Sequence, residues 1–434
     1  MVYLSQTGRR KHKAMSLMDE VLSKENLNLA YKKVISNKGA SGIDKMTCDE
    51  ILDYLKTHGN DLVCQIKSRQ YQPQPVKRVE IPKPNGGIRK LGIPTVVDRI
   101  VQQAMVQVLS PMFEPTFSDY SYGFRPNRSC LDAINQALVY LNEGYEWVVD
   151  LDLEKFFDNV NHDKLIRIVD NTCHDSDITS LIMKYLKAGV MIDGQIEETN
   201  VGTPQGGNLS PLLSNIMLNV LDKELEHRTL RFVRYADDCV IFVKTKFSAE
   251  RVMRNIVSFI ENKLKLKVNA TKTHVDRADR IKYLGYGFDK HETWFAKPHE
   301  ESIVKFRNKL KRLTKRSWSV DLDYRLIKIK QSVIGWVNYF KLGKMKRQLK
   351  MISGWLRTRI RMIIWKQWKT TKKREESLIK LGKTKCIAHE HANTRKGYMS
   401  VACGWILCTT ITNERLKKRG LVSPLDYYLE KIVA

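Results

Sequence analysis

The chain is short of acidic residues, has no paired cysteines and contains no long apolar run. Its eight cysteines (Cys48, Cys64, Cys130, Cys173, Cys239, Cys386, Cys403 and Cys408) are scattered, and no two form a Cys-x-x-Cys pair. A zinc ribbon or an HNH-type zinc site needs closely spaced ligands, so neither is supported. Free thiols in a reducing cytoplasm fit this spacing better than a disulfide framework. No apolar stretch approaches the ~20 residues needed to span a bilayer. The segment Met1–Ala14 is polar and basic, without the apolar core of a secretory signal. The expectation is a cytoplasmic protein with no membrane partner.

The shortage of acid is large and uneven. Lys and Arg number 75 against 47 Asp and Glu, a net charge of +28 over 434 residues. From Ala296 to the last residue there are 34 basic and 10 acidic side chains, a net of +24, so the preceding 295 residues carry only +4. A near-neutral body joined to a strongly basic final third predicts an appendage that grips a polyanion. Seven of the eight tryptophans lie between Trp294 and Trp405. Helical spacing there predicts three helices over 302–313, 324–340 and 350–368, with Trp336, Trp355, Trp365 and Trp368 mostly turned inward. Arg357, Arg359, Arg361 and Lys366 would then line the outer face as RNA or DNA contacts.

Within the body, the chemistry centres on Phe232-Val-Arg-Tyr-Ala-Asp-Asp-Cys-Val-Ile-Phe-Val243. Two runs of β-branched and aromatic residues flank Asp237 and Asp238, a pattern that predicts strand, tight turn, strand. Adjacent carboxylates beside apolar strands repel one another and resist burial unless a cation is present. By itself the pair fits either an Asp-rich turn or a divalent-metal hairpin. A second acidic strand lies upstream at Trp147-Val-Val-Asp-Leu-Asp-Leu-Glu-Lys-Phe-Phe-Asp158, where Asp150 and Asp152 share one face. Two acids on an otherwise apolar strand are poor core residues.

Three further stretches bear on the site. Asn85-Gly86-Gly87 predicts a hairpin turn, and Lys83 and Arg89 flank it. They are either two solvated charges or a clamp on a phosphate. Gly202-Thr-Pro-Gln-Gly-Gly-Asn-Leu-Ser210 is a Gly-rich loop leading into an apolar helix, and its glycines permit close backbone approach to a ligand. Strands expected near 265–269 and 281–288 complete the order strand–helix–strand–strand–helix–strand of a ferredoxin-like α+β sheet. Such a sheet could set the acids of 150–152 beside those of 237–238. Three carboxylates holding two divalent ions ~3.5–4 Å apart form the site of in-line phosphoryl displacement. Mg²⁺ suits it, being hard and held by few protein groups together with substrate phosphates. With a triphosphate clamp and a duplex-gripping appendage, the sum is a template-directed nucleotide polymerase.

Tyr235-Ala-Asp-Asp238, Gly202-Thr-Pro-Gln-Gly206 and Asp150-Leu-Asp-Leu-Glu-Lys-Phe-Phe-Asp158, with Ile81-Pro-Lys-Pro84, Tyr122-Gly-Phe-Arg-Pro126 and Tyr283-Leu-Gly285, resemble the reverse transcriptases encoded within bacterial group II introns. The ending resembles the group IIC class, which lacks an endonuclease domain. The resemblance implies an α+β right-hand polymerase with fingers, a ferredoxin-like palm and a helical thumb, or maturase X domain. The expected divisions are a basic arm and N-terminal extension at 1–36, fingers at 37–145, palm at 146–295 and thumb at 296–434. The resemblance also implies that Asp152, Asp237 and Asp238 hold two Mg²⁺ ions. Asp152 is preferred to Asp150 because the family places an aromatic steric gate five residues after the metal aspartate, and Phe157 fits. Lys83 and Arg89 would contact the triphosphate of a dNTP and Gln205 the incoming nucleotide; Lys272 is a candidate general acid. The implied partners are a group II intron RNA in a ribonucleoprotein, an RNA template with its DNA primer, and target DNA. The implied function is reverse transcription with assistance to splicing during intron mobility. A domesticated relative in phage defence or DNA repair, with no intron partner, is the alternative.

Overall fold

The computed structural model describes residues 16–82, 86–192, 195–197, 202 and 206–433. The basic arm, Lys83 and Gln205 fall outside the described residues. The chain divides into two units, Met1–Asp276 and Arg277–Ala434.

The first unit opens with two helices, α1 (Leu17–Val21) and α2 (Lys24–Ser36), where helical spacing predicts a single stretch. The Ser23 hydroxyl caps α2 by accepting from the Asn26 amide, which restarts the helix after the break. Helix α3 (Ile51–Lys67) begins three residues later than the position to which capping by Thr47, with Glu50 three residues on, would assign it. The Glu50 carboxylate accepts from both the amide and the hydroxyl of Thr47, so those residues form a turn instead. Strands β1 (Val76–Pro82) and β2 (Ile88–Ile93) form an antiparallel hairpin in register Ile81 to Arg89. Gly86 and Gly87, with φ of +80° and +83°, take the left-handed conformations that the turn requires.

Helix α4 (Val96–Phe113) is buried along most of its length. After α5 (Cys130–Asn142) come β3 (Trp147–Leu151), the short α6 (Phe156–Asn159), α7 (His162–Cys173) and α8 (Ser176–Lys187). Two short strands, β4 (Val190–Ile192) and β5 (Gln195–Glu197), extend the hairpin into a sheet of order β2-β1-β4-β5. Helix α9 (Ser210–His227) leads to β6 (Arg231–Tyr235), β7 (Asp238–Val243) and α10 (Lys246–Phe259), and β8 (His274–Arg277) closes the unit. The second sheet has the order β6-β7-β3-β8, the arrangement expected of a ferredoxin-like palm. Its fourth strand is β8. Residues 265–269 contribute only an isolated bridge from Val268 to Leu153. Helix α10 packs on β3 and β7, and Val149, Ile241, Ala249, Ile256 and Ile260 are all fully buried.

In the second unit, β9 (Lys282–Tyr283), β10 (Tyr286–Lys290) and β11 (Trp294–Pro298) form their own antiparallel sheet. The strand expected near 281–288 therefore belongs to this sheet and not to that of β3 and β7. The sheet is tied to the helices that follow: the Tyr339 hydroxyl donates to the Leu284 carbonyl at 2.9 Å and the Lys344 amide to Ala296 at 2.9 Å. Helices α11 (Glu300–Leu313), α12 (Leu322–Tyr339) and α13 (Lys346–Gln367) match the three expected basic helices, and six shorter helices follow among the described residues. Of the four tryptophans expected in the core, Trp365 is fully buried; Trp336, Trp355 and Trp368 are half-buried. No helix among the described residues is long and apolar enough to cross a membrane.

Candidate active site

The acidic hairpin forms as its sequence pattern predicts. Strands β6 and β7 pair antiparallel with Tyr235 opposite Asp238, leaving Ala236 and Asp237 as a two-residue turn. Ala236 adopts a left-handed φ of +58°, which a non-glycine residue holds only when its surroundings compel it. Those surroundings are specific. The Arg234 guanidinium, fully buried, donates to both Asp222 oxygens at 2.7 and 2.6 Å, to the Asn215 side-chain oxygen at 3.1 Å and to the Ala236 carbonyl at 2.8 Å. The turn carbonyl thus rests on a bidentate Arg–Asp pair. On the other side Gly123 fits against the turn, where any Cβ would come within 2.3 Å of the Ala236 nitrogen. Arg234 and Gly123 lie inside stretches quoted from the sequence but were given no role there, and Asp222 was not singled out. The one available signal was a charged residue inside an otherwise apolar strand.

Pairing of β3 with β7 brings the two acidic segments together. Leu151 lies opposite Cys239, so Asp152, one residue on, falls beside Asp238. Asp152, Asp237 and Asp238 line a cleft of about 950 Å³ together with Arg89, Phe124, Phe157, Gly206 and Lys272. Asp150 is not among the described lining residues. Desolvation in the recessed cleft, reinforced by Asp237, Asp150 and Asp152, pushes the Asp238 carboxyl up to about 6. Burial, with Asp152 adding to it, pushes Asp150 up to about 6 as well. The acids around the turn therefore repel one another.

Lys272 offsets part of the acids' charge, its ammonium lying 3.2 Å from each oxygen of Asp152. The loop that carries it is latched to Asp152 through the backbone. Asn269 donates its amide to the Asp152 carbonyl at 2.8 Å, and the Asp152 amide donates to the Thr273 hydroxyl at 3.1 Å. Among the described residues no three acidic, histidine or cysteine side chains close around one point as a metal cage. The carboxylates border an open cleft instead. That suits Mg²⁺, which takes one or two protein carboxylates and completes its shell with water and substrate phosphates. The mutual repulsion of the acids and the ammonium on Asp152 both mark a place where positive charge is favoured.

The gate candidate sits on α6. Phe157 is half-buried, packs edge-on against the buried Phe156 at 5.2 Å, and faces the cleft. Its backbone abuts the Gly-rich loop: a Cβ on Gly202 would lie 2.8 Å from the Phe157 carbonyl, and Gly202 has a φ of +98°. His162, fully buried, donates Nε2–H to the Gly202 carbonyl at 2.5 Å. Burial lowers the His162 pKa below its ordinary value. The unfolded chain then binds a proton below about pH 6.5 that the folded chain refuses, so this group's contribution is lost as pH falls. Compared with His162→Gln, which keeps a donor but does not titrate, the wild type is expected to lose more stability between pH 7.5 and 5.5. Urea unfolding at the two pH values checks this, and an unchanged difference between the two proteins would contradict it.

Of the four basic residues expected to face outward on α13, Lys366 is exposed, and the three arginines are wholly or partly buried. Arg361 is buried and donates to the Ile411 carbonyl at 2.9 Å and the Asn413 side chain at 3.0 Å. Arg359 donates to the hydroxyl and carbonyl of Thr314, at 2.5 and 2.9 Å. Arg357 pairs with Asp426 at 3.1 Å, and Lys366 donates to the Arg316 carbonyl at 2.9 Å. These side chains fasten α13 to neighbouring loops of its own unit, because the helix is covered on more than one side. Arg359 and Lys366 also line a cavity of about 730 Å³ with Lys315, Arg316 and Tyr398.

Residues 81–288 match the family model described as reverse transcriptase (RNA-dependent DNA polymerase). Residues 303–381 match the group II intron, maturase-specific domain. Protein YkfC of Escherichia coli (strain K12) is 33% identical over 355 residues, 72% of this chain and 93% of the relative. The chain belongs to the group II intron-encoded reverse transcriptases. RNA-directed DNA polymerisation is the activity of this family, and the α+β architecture is that of its polymerase domain. The group II intron-encoded protein LtrA of Lactococcus lactis subsp. cremoris is 32% identical over 59% of this chain and 54% of its own length. A putative COX1/OXI3 intron 2 protein of Saccharomyces cerevisiae is 30% identical over 76% of this chain and 45% of its own.

Proposed function

We propose that this reverse transcriptase copies RNA by two-metal phosphoryl transfer, with Asp152, Asp237 and Asp238 holding the ions. The observation that carries the reading is the β3–β7 pairing, which places the first carboxylate beside the other two in a cleft that also contains Arg89 and Phe157. Bound Mg²⁺ would neutralise the charge that develops on the transferred phosphorus and its oxygens. The chain supplies the rest. Arg89, beside the hairpin turn, binds the triphosphate through its planar fork, and Lys83 would add a second positive charge. Gln205 contacts the incoming nucleotide from the Gly-rich loop. Lys272, held beside Asp152, is positioned to give a proton to the departing pyrophosphate.

Phe157 would exclude a ribose 2′-hydroxyl by contact, selecting dNTPs over rNTPs. Phe157→Ala is expected to relax that selection roughly tenfold to a hundredfold, the range available from steric differences of a few atoms in a pocket. Parallel primer extension with dNTPs and rNTPs reads the ratio directly. An unchanged ratio would move the gate elsewhere.

The basic second unit, carrying the maturase-specific match, supports a second role. The protein would bind its own intron RNA as a ribonucleoprotein, hold it in a splicing-active fold, and copy it at a target DNA during intron mobility. Sequencing the RNA that co-purifies with the protein tests this. Enrichment of one structured intron supports the reading, and a random sample of cellular RNA argues against it.

A further inference from the structure

Helix α4 carries an unusual density of buried polar side chains. Asp98, Arg99, Gln102 and Gln103 are each less than a tenth exposed. Burying a neutral amide costs free energy unless its hydrogen bonds are replaced, and two adjacent ones do nothing for a core that apolar residues would not do better. What these groups bond to explains them. Gln102 accepts from the backbone amide of Leu209 at 3.4 Å, and Gln103 accepts from the side-chain amide of Asn208 at 3.2 Å. Both contacts fall on the last turn of the Gly-rich loop, immediately before α9.

The loop is pressed between α4 and β2. A Cβ on Gly207 would lie 2.8 Å from the Gln102 side-chain oxygen, and one on Gly206 would lie 2.4 Å from the Gly92 carbonyl. The bonds then continue away from the cleft in one direction. Gln103 donates to Gln107 at 3.3 Å, and Gln107 donates to the Asn26 side chain at 2.6 Å. Asn26 donates in turn to the Val21 carbonyl at 2.9 Å and the Ala104 carbonyl at 3.0 Å. Four amides thus form one polarised chain from the Gly-rich loop to the junction of α1 and α2, each bond strengthening the next.

We propose that Gln102 and Gln103 are positioning residues for the nucleotide-binding loop, and that Gln107 and Asn26 hold Gln103 in the rotamer that does this. The proposal rests on the reading of the Gly-rich loop as the nucleotide contact. It assigns to the N-terminal helices a part in dNTP affinity, although they pack on α4 and none of their residues is among the described lining of the cleft. A supporting hydrogen bond fixes where a binding group sits, so its loss shows in the ligand's affinity before it shows in chemistry.

The test is steady-state extension of a DNA primer on an RNA template by Gln103→Met, Gln107→Met and Asn208→Ala, with melting temperatures and template–primer affinity measured alongside. Each substitution is expected to raise the KM for dNTP about fivefold, the worth of one hydrogen bond, with kcat within about twofold and template–primer affinity unchanged. The double variant Gln103→Met/Gln107→Met should be no worse than Gln103→Met, because both interrupt one chain. Asn208 is only half-buried, so Asn208→Ala keeps the test open if a core variant fails to fold. Lower melting temperatures with dNTP KM unchanged in Gln103→Met and Asn208→Ala would overturn the proposal, leaving a packing role. A wild type that incorporates no dNTP on an RNA template would overturn the polymerase reading itself and this proposal with it.

Discussion

Asp237→Asn is expected to reduce RNA-templated primer extension at least about a thousandfold while leaving the protein as stable as the wild type or more so. The first half follows from the cleft: a carboxylate that holds an ion at the reacting phosphate acts only in the transition state, so its loss falls on kcat. The second half follows from the crowding of acids. Burial raises the Asp238 carboxyl most, and Asp237, Asp150 and Asp152 add to it, so replacing one charge with an isosteric amide relieves repulsion. The same substitution should diminish the rise in melting temperature that Mg²⁺ produces in the wild type, because a ligand that binds the folded state stabilises it. Primer extension and thermal melting with and without Mg²⁺ check the three statements together. Wild-type activity in Asp237→Asn would remove this residue from the metal set.

The second large effect is on stability. Arg234 and Asp222 form a fully buried bidentate pair beneath the Ala236 turn. Arg234→Met would strand the Asp222 carboxylate in an apolar interior and is expected to cost ~3–5 kcal/mol. Removing both charges with Arg234→Met/Asp222→Leu should recover much of that loss, since two apolar residues of similar volume leave no buried charge unpaired. The double variant should still lose activity, because the Ala236 carbonyl no longer has a guanidinium to hold the turn that presents Asp237. Urea unfolding of the single and double variants, with extension assays on the double, separates the two roles. A double variant as unstable as Arg234→Met would show instead that the pair stabilises the fold beyond what apolar residues supply.

Parts of this site were legible in the chain and parts were not. The Asp237-Asp238 hairpin was legible because β-branched runs on either side of a turn are a local pattern. The 150–152 strand was legible because alternation puts both acids on one face. The choice between Asp150 and Asp152 was not available from alternation, and there the resemblance to a known family carried the expectation. The strand expected at 265–269 contributes only one bridge, and the one near 281–288 joins the second sheet. Short apolar stretches announce a strand without announcing its partner. The arginines of α13 illustrate the same limit in electrostatic form. A dense basic helix reads alike whether its guanidinium groups face solvent or donate to carbonyls of covering loops, and at Arg361 the latter holds.

The amino-acid sequence by itself determined the chemistry on offer: carboxylates on two strands, a hairpin with flanking cations, a Gly-rich loop and a basic C-terminal third. These depend on residue type and near spacing, which periodicity and turn propensity report directly. The tertiary structure alone decided which carboxylates face one cleft, which arginines are fasteners, and how α4 holds the loop beside β2. Those outcomes rest on hydrogen bonds and burial between residues as far apart as Gln103 and Asn208, or Asp152 and Lys272. Such pairings are selected by the packing of whole elements, because a buried polar group must find its partner wherever the fold brings one.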